Sequence, residues 1–237
     1  MLVPARRHDL EWMDRPDNTR ADLEGALADI GAVNRFLGGS RIVVEAALPY
    51  LAASTPKSPL SVLDVGTGAA DVPRALVRAA RGAERAIRVV AVDRDPVTAA
   101  LARGACAGIP EIDVLERDAF ELGFPPGSFD LVTASLFLHH FTHDDAVRLI
   151  AAFRRIARRA VLVNDLRRHA IPWALIAVAA RATRRHPMFV HDAPLSVLRG
   201  FTDDELRRIA AGAGAPEATV TRRFAFRLLM TVPGGAA

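Results

Sequence analysis

The stretch Val62-Leu63-Asp64-Val65-Gly66-Thr67-Gly68-Ala69-Ala70-Asp71 is an apolar run that ends in a carboxylate, breaks at two glycines and then resumes as a helix. Gly66, Thr67 and Gly68 can form a tight turn in which the backbone approaches a ligand closely. Such a turn lies at the carboxyl end of a strand, where open α/β sheets bind their ligands. A G-x-G alone serves an ordinary turn as readily. A second apolar run, Val89-Val90-Ala91-Val92-Asp93, also ends in a carboxylate, at roughly the spacing of an acid that accepts from both hydroxyls of a ribose. Asp95-Pro96 follows and starts a helix with proline at its first position, so helix entry is the alternative role for Asp93.

The third loop position separates two kinds of nucleotide ligand. A dinucleotide loop, G-x-G-x-x-G, keeps a glycine there so that the helix N-terminus can meet a pyrophosphate. Here Asp71 occupies that position and would repel one. S-adenosylmethionine has no phosphate and carries an ammonium and a sulfonium, to which Asp64 and Asp71 are attractive.

A second chemical cluster is Leu138-His139-His140-Phe141-Thr142-His143, directly after the fourth strand-like run. There His140 or His139 could take the proton of an acceptor hydroxyl. For a phenol with a pKa of about 10 this contributes roughly 100- to 10,000-fold in rate. Packing is the alternative for either. His143, beside Asp144 and Asp145, reads as a helix-capping residue. The His139-His140 pair has no third ligand at helix spacing, so no metal site is expected. His191, next to Asp192, is the second candidate base, in a stretch that would cover the mouth of the site. A loop histidine with a surface partner describes it equally well.

Positioning these groups requires alternating strands and helices. Leu23, Leu27, Ile30, Val33 and Leu37 recur at three- and four-residue steps and predict a helix over 22–36, ended by Gly38 and Gly39. A second helix is predicted over 42–53, with 56–59 as the linker into the core. β-Branched runs then predict strands at 61–65, 87–92, 112–116, 131–134 and 160–164. Between them lie helices at 72–81, 96–105 and 144–158, which is the pattern of βαβ units on a parallel sheet. After Asp165 come an apolar helix from Pro172 to about Arg184, an irregular stretch over 186–199 and a last helix. Thr202 caps that helix, with Glu205 completing a capping box. A closing strand is predicted over 224–232. Trp173, Leu175, Ile176 and Val178, with Met188, Phe189 and Val190, would build an apolar lid favouring an aromatic or polyketide-like acceptor. A core or dimer face is the other use of such a helix, so a homodimer is a candidate assembly.

With 237 residues, 51% of them apolar, the chain can bury one α/β core. The longest purely apolar stretch, from Ile171 to Ala180, is too short to cross a bilayer. Residues 1–10 lack the apolar segment of a secretory signal, so a cytoplasmic location is expected. Cys106 stands alone, which excludes an internal disulfide and a thiolate metal cage. The net charge of +4 comes from arginine pairs scattered among nearly as many acids, which look like solvated helix faces rather than a nucleic-acid surface.

From Leu60 to about Leu166 the sequence resembles the class I methyltransferases. It is most similar to the branch containing ubiquinone- and menaquinone-biosynthesis enzymes and small-molecule methyltransferases of bacterial secondary metabolism. The resemblance rests on Leu63-Asp64-Val65-Gly66-Thr67-Gly68, Ala91-Val92-Asp93-Arg94-Asp95-Pro96, Arg117-Asp118-Ala119-Phe120 and Phe124-Pro125-Pro126-Gly127-Ser128-Phe129-Asp130-Leu131-Val132, in that order. It implies a Rossmann-like, seven-stranded, mostly parallel sheet with helices on both faces, its last strand antiparallel. It implies S-adenosylmethionine as cofactor: Asp64 with the loop at Gly66, Thr67 and Gly68 at the methionine end, Asp93 on the ribose, and Arg94 beside the adenine. Asp118 and Ala119 would meet the adenine amino group, and the Ser135 backbone would face the cofactor amine. A preceding helix closes over the cofactor in such enzymes, which makes Asn34 and Arg35 candidates for its carboxylate, with a surface role as the alternative for Arg35. Many relatives carry glycine where this chain has Ala70.

The reading is therefore an N-terminal helical cap over 1–56 and a methyltransferase domain over 57–237 with a lid-like insertion at about 171–200. The expected reaction is transfer to a hydroxyl oxygen of a small molecule. Carbon or nitrogen transfer, or cofactor binding without catalysis, are the alternatives. A nucleic-acid methyltransferase would carry an N/D-P-P-Y-like tetrapeptide after the fourth strand, where this chain has Ala134-Ser135-Leu136-Phe137.

Overall fold

The computed structural model describes residues 2–15, 17–183 and 185–235. Two helices, α1 (Arg20–Phe36) and α2 (Gly39–Leu51), precede a βαβ series: β1 (Leu60–Val65), α3 (Asp71–Gly82), β2 (Ile87–Asp93), α4 (Pro96–Ala105), β3 (Ile112–Glu116), β4 (Phe129–Ser135), α5 (His143–Ile156) and β5 (Ala157–Leu166). Then follow α6 (Ala170–Ala182), α7 (Pro187–Arg199), α8 (Asp203–Gly212), β6 (Thr219–Arg223) and β7 (Arg227–Pro233). The seven strands are ordered β3-β2-β1-β4-β5-β7-β6, with β7 antiparallel to both its neighbours. This is the expected Rossmann-like sheet with its antiparallel closing strand.

The core follows the period of two along each strand. On one face Leu63, Val65, Val132 and Val163 pack against Leu149, Ile150 and Phe153 of α5 and Leu206 and Ile209 of α8. On the other face Val62, Val89, Leu131 and Leu162 pack against Val43 and Ala47 of α2 and Leu76 and Val77 of α3. α2 thus shares the main core with β1. Helix starts are set by local chemistry. Thr19 caps α1 and Thr202 caps α8, each in a capping box, with Asp22 and Glu205 as the returning acids.

Four expectations need correction. Residues 186–199, expected as irregular, form α7. His186 caps it and Pro187 is its first residue, a position that tolerates proline, while Pro194 is carried inside the helix. Gly38, at φ +70°, caps the start of α2, so it joins two helices rather than only ending one. Thr142, not His143, caps α5, and its hydroxyl accepts from the Asp145 amide. Residues 224–226 form a short turn ahead of β7, and β6 was not foreseen: Thr-Val-Thr-Arg-Arg is a polar edge strand without an apolar run. Arg184, the expected end of the apolar helix, lies outside the described residues. Among the described residues, no helix is long and apolar enough to cross a membrane.

Candidate active site

One cavity of about 500 Å³ touches the last residue of four parallel strands: Val65 of β1, Asp93 of β2, Ser135 of β4 and Leu166 of β5. This is the ligand-binding edge of an open α/β sheet. Thr67, Gly66, Gly68, Arg94, Asp118 and Ala119 also line it.

The β1–β3 half is built from neighbours in sequence. Gly66, at φ +66°, passes so close to Phe137 that a Cβ there would run into the ring. The Thr67 amide donates to the Val92 carbonyl at 3.0 Å, tying the loop to β2. The Asp93 carboxylate accepts from the Gly68 amide at 3.0 Å and the Asp95 amide at 3.2 Å, and burial raises its pKa. Asp118 accepts from the Phe120 amide at 2.8 Å. Ala70 has φ +57°, a left-handed conformation that glycine takes with ease and alanine adopts only at a cost.

Three groups of this half differ from expectation. Asp64 does not line the cavity. It is buried beneath the loop, where it accepts from the Thr133 hydroxyl at 2.5 Å and where burial pushes its pKa up to about 6. Asp71 does line the cavity but pairs with Arg74 at 2.6 Å, which softens its charge. Arg35 is exposed and outside the cavity wall, because the 3.6-residue period of α1 turns Asn34 inward instead.

The opposite half is assembled from remote segments. His139 and His140 sit in a short helical turn, Leu138–His140, reached through Leu136 at φ +54°, a strained conformation for a bulky residue. His140 Nδ1 lies 2.8 Å from Asp14, and His139 Nδ1 lies 2.6 Å from Asp165. A carboxylate at Nδ1 fixes the neutral tautomer and leaves Nε2 as the basic nitrogen. His139 Nε2 lies 3.7 Å from the buried Glu11, so carboxylates flank both its ring nitrogens. His140, more exposed, has the nitrogen better suited to a bound acceptor.

Glu11 and Asp14 arrive on an N-terminal strap that sequence periodicity does not reveal. Asp192 of α7 accepts from the Trp12 and Met13 amides at 2.8 and 3.0 Å and so shapes the turn that presents Asp14. Arg199 donates to the His139, His140 and Asp9 carbonyls, and Arg6 donates to the Arg199 and Phe141 carbonyls. Burial pushes the Glu11 carboxyl up to about 7. For Asp14 burial works in the same direction, but the His140 hydrogen bond, the charge that His140 carries when protonated and the charge of Arg199 outweigh it and hold the pKa below the usual range.

Glu11, His139 and His140 bring one ligand atom each within 4.8 Å of one another, so the third partner missing from helix spacing exists in space. The Arg199 guanidinium already faces this cluster, with Nε 3.6 Å from Glu11 and Nη1 3.8 Å from Asp14, and supplies positive charge there.

His191 is not at this site. It is exposed on the outer side of α7, stacked on Trp12 with ring centroids 4.1 Å apart and paired with Asp192 at 2.7 Å, outside the cavity wall. Of the expected apolar lid, Ile176 and Phe189 line the cavity and Met188 packs against α1, while Val190 is half-buried outside the cavity wall and Trp173, Leu175 and Val178 are exposed. Arg227, at the start of β7, also lines the cavity and was not foreseen. Its one sequence signal is a charge at the head of an apolar strand, Arg227-Leu228-Leu229-Met230.

Residues 62–160 match a family described as a methyltransferase domain. That stretch runs from within β1 into β5 and so takes in the glycine loop, Asp93 and the turn with His139 and His140. The loop geometry fits S-adenosylmethionine, the cofactor that the sequence resemblance implies: the backbone passes close at Gly66, and the Asp71 carboxylate stands where a pyrophosphate would need glycine. The chain is 36% identical over 124 residues to a demethylmenaquinone methyltransferase of Thermus thermophilus, a match covering 52% of this chain and 50% of that protein. It thus spans about half the length of the curated relative it matches. Among solved structures it resembles an S-adenosylmethionine-dependent methyltransferase of Aquifex aeolicus, with a TM-score of 0.59 and 14% identity over 92% of this chain and 99% of the other. It also resembles an O-methyltransferase family 2 protein of Planctomyces limnophilus in complex with apigenin, with a TM-score of 0.64 and 16% identity over 93% and 63% of the two chains. At these identities the structural likenesses establish the fold.

Proposed function

We propose that this protein transfers a methyl group from S-adenosylmethionine to a hydroxyl oxygen of a small, aromatic or polyketide-like acceptor. One observation carries the reading. A single cavity holds the Asp93 carboxylate at its β2 edge and an Asp14-supported His140 beyond β4. When bound, the cofactor supplies an electrophilic methyl on sulfur. Asp93 would accept from the ribose hydroxyls, Gly66 to Gly68 and the Ser135 backbone would border the methionine portion, and Arg94, Asp118 and Ala119 would flank the adenine. Asp64 acts indirectly, fixing the strand end from below. Displacement at the methyl needs nucleophile and sulfur in line, so most of the work is positioning. His140 Nε2 takes the proton of the acceptor hydroxyl, and Asp14 steadies the imidazolium that results. His139 holds the turn between Asp165 and Glu11. Ile176 and Phe189, on the α6–α7 insertion, shield the site from water.

Transfer to carbon is the second reading, favoured by the name of the Thermus thermophilus relative, whose acceptor would be demethylmenaquinone. Incubation with trideuteromethyl-labelled cofactor and a panel of phenols and quinols, with mass and fragment analysis of the products, tests both. Label on oxygen that disappears in His140→Gln supports the proposal. Label on ring carbon replaces it with the second reading, and undiminished transfer by His140→Gln removes the base assignment.

A further inference from the structure

Arg227 is a buried cation that the methyl-transfer reading leaves without work. It is 3% exposed and opens β7 opposite Leu166, the last residue of β5. Its Nη2 donates to the Asn34 side-chain oxygen at 2.8 Å, while Nε and Nη1 have no hydrogen-bond partner. Among the described residues no carboxylate pairs with it. Asp165, whose charge it feels, is committed elsewhere: it accepts from the His139 amide and ring and from the Leu166 amide. A guanidinium removed from water without a counter-ion is costly, and that cost is relieved when an anionic oxygen meets its free donors. The unpartnered nitrogens belong to a residue of the cavity wall, so such an oxygen could come from a bound molecule.

The position indicates which molecule. The groups assigned to the cofactor lie at or just beyond the ends of β1, β2, β3 and β4, whereas β5 and β7 follow β4 on the side away from β1. Leu166 borders the cavity on that side, and Ile176 and Phe189 of the α6–α7 segment add apolar wall to the same cavity. The alternative source of an anionic oxygen is the cofactor's own methionine carboxylate, which Asn34 could also approach.

We infer that Arg227, with Asn34, binds a carboxylate of the acceptor, so that the substrate is a hydroxylated acid. This rests on the methyltransferase reading above. The planar guanidinium favours a carboxylate over a neutral polar group, and charge-assisted hydrogen bonds separate an acid from its amide by roughly ten- to a hundredfold in affinity.

The test measures binding of matched hydroxybenzoates and hydroxybenzamides to the full chain, with and without saturating S-adenosylhomocysteine. Wild type is expected to prefer the acids by about ten- to a hundredfold, and Arg227→Met to lose that preference. Asn34→Asp gives Arg227 an internal carboxylate. It is expected to raise the melting temperature while abolishing acid preference, a combination that a purely structural arginine does not produce and that decides the matter should Arg227→Met not fold. Wild type without acid preference, or a preference surviving in both variants, overturns the site. So does an Arg227→Met variant that binds S-adenosylhomocysteine at least tenfold more weakly while binding 5′-methylthioadenosine, which lacks the carboxylate, as wild type does. That outcome gives Arg227 to the cofactor. Failure of wild type to bind S-adenosylhomocysteine at all would remove the methyltransferase reading instead, and the acid-against-amide comparison without it still decides this site.

Discussion

The two halves of the cavity are built on different principles. The proposed cofactor half takes Gly66 to Gly68, Asp93, Asp118 and Ala119 from the ends of successive strands, with bonds to near neighbours such as Gly68 to Asp93 and Phe120 to Asp118. The proposed acceptor half takes Glu11 and Asp14 from an N-terminal strap, His139 and His140 from the turn after β4, Asp192 and Arg199 from α7, and Arg227 from β7. The bonds that join these pieces span most of the chain, as between Asp14 and His140 or Asn34 and Arg227. A local half can be tuned residue by residue, whereas a network with shared partners responds as a unit.

That contrast is open to attack by mutation. The largest expected effect is in catalysis: His140→Gln should lower turnover by roughly 100- to 10,000-fold while leaving S-adenosylhomocysteine affinity within about twofold of wild type, because the halves are separate. Steady-state kinetics beside calorimetry check this, and a matching loss of cofactor affinity would break the division. Next in size, Arg199→Met leaves Glu11 and Asp14 without their cation and frees three carbonyls. A loss of about 3–5 kcal/mol in denaturant unfolding is expected, far above the roughly 0.5 kcal/mol of an ordinary surface change.

A smaller effect concerns pH. Burial raises the Glu11 carboxyl from 4.5 to about 7. A raised acid pKa contributes stability that is fully present below about pH 4.5 and is lost as pH rises through 7, since the folded state then binds more protons than the unfolded one. Glu11→Gln should therefore match wild type near pH 4.5 and exceed it above pH 7, by on the order of 1–3 kcal/mol. Urea unfolding at the two pH values reads the difference, and parallel stability curves would mean that Glu11 titrates normally. The smallest effect is local: Thr202→Ala removes the capping box of α8 and should cost about 1 kcal/mol, as a shift of the urea midpoint without change of slope.

The same contrast explains what could be read from the sequence. β1 to β5 and the Pro96–Ala105 helix are legible because apolar periodicity, Asp-Pro and the glycine pair are local signals whose meaning survives without tertiary context. Thr202 with Glu205 is legible for the same reason. α7 was obscured by Pro187 and Pro194, which read as breakers although the first sits where a helix tolerates proline. Asn34 and Arg35 are equally plausible from the sequence, and which of them faces the cavity is settled by Leu23, Ala26 and Leu27 packing inward. Glu11, Asp14 and Arg199 carry no local signal, since each acquires a role only when α7 draws the strap against the His139-His140 turn. His191 was the converse error, a histidine beside an aspartate whose partner turned inward while it turned out.

The most direct test is calorimetric titration of wild type and Asp93→Ala with S-adenosylmethionine, S-adenosylhomocysteine and NAD. The proposed account predicts that wild type binds the first two and not the third, and that the variant loses roughly 2–4 kcal/mol of that affinity with the two ribose contacts. Binding of NAD, or undiminished S-adenosylhomocysteine binding by Asp93→Ala, would contradict it.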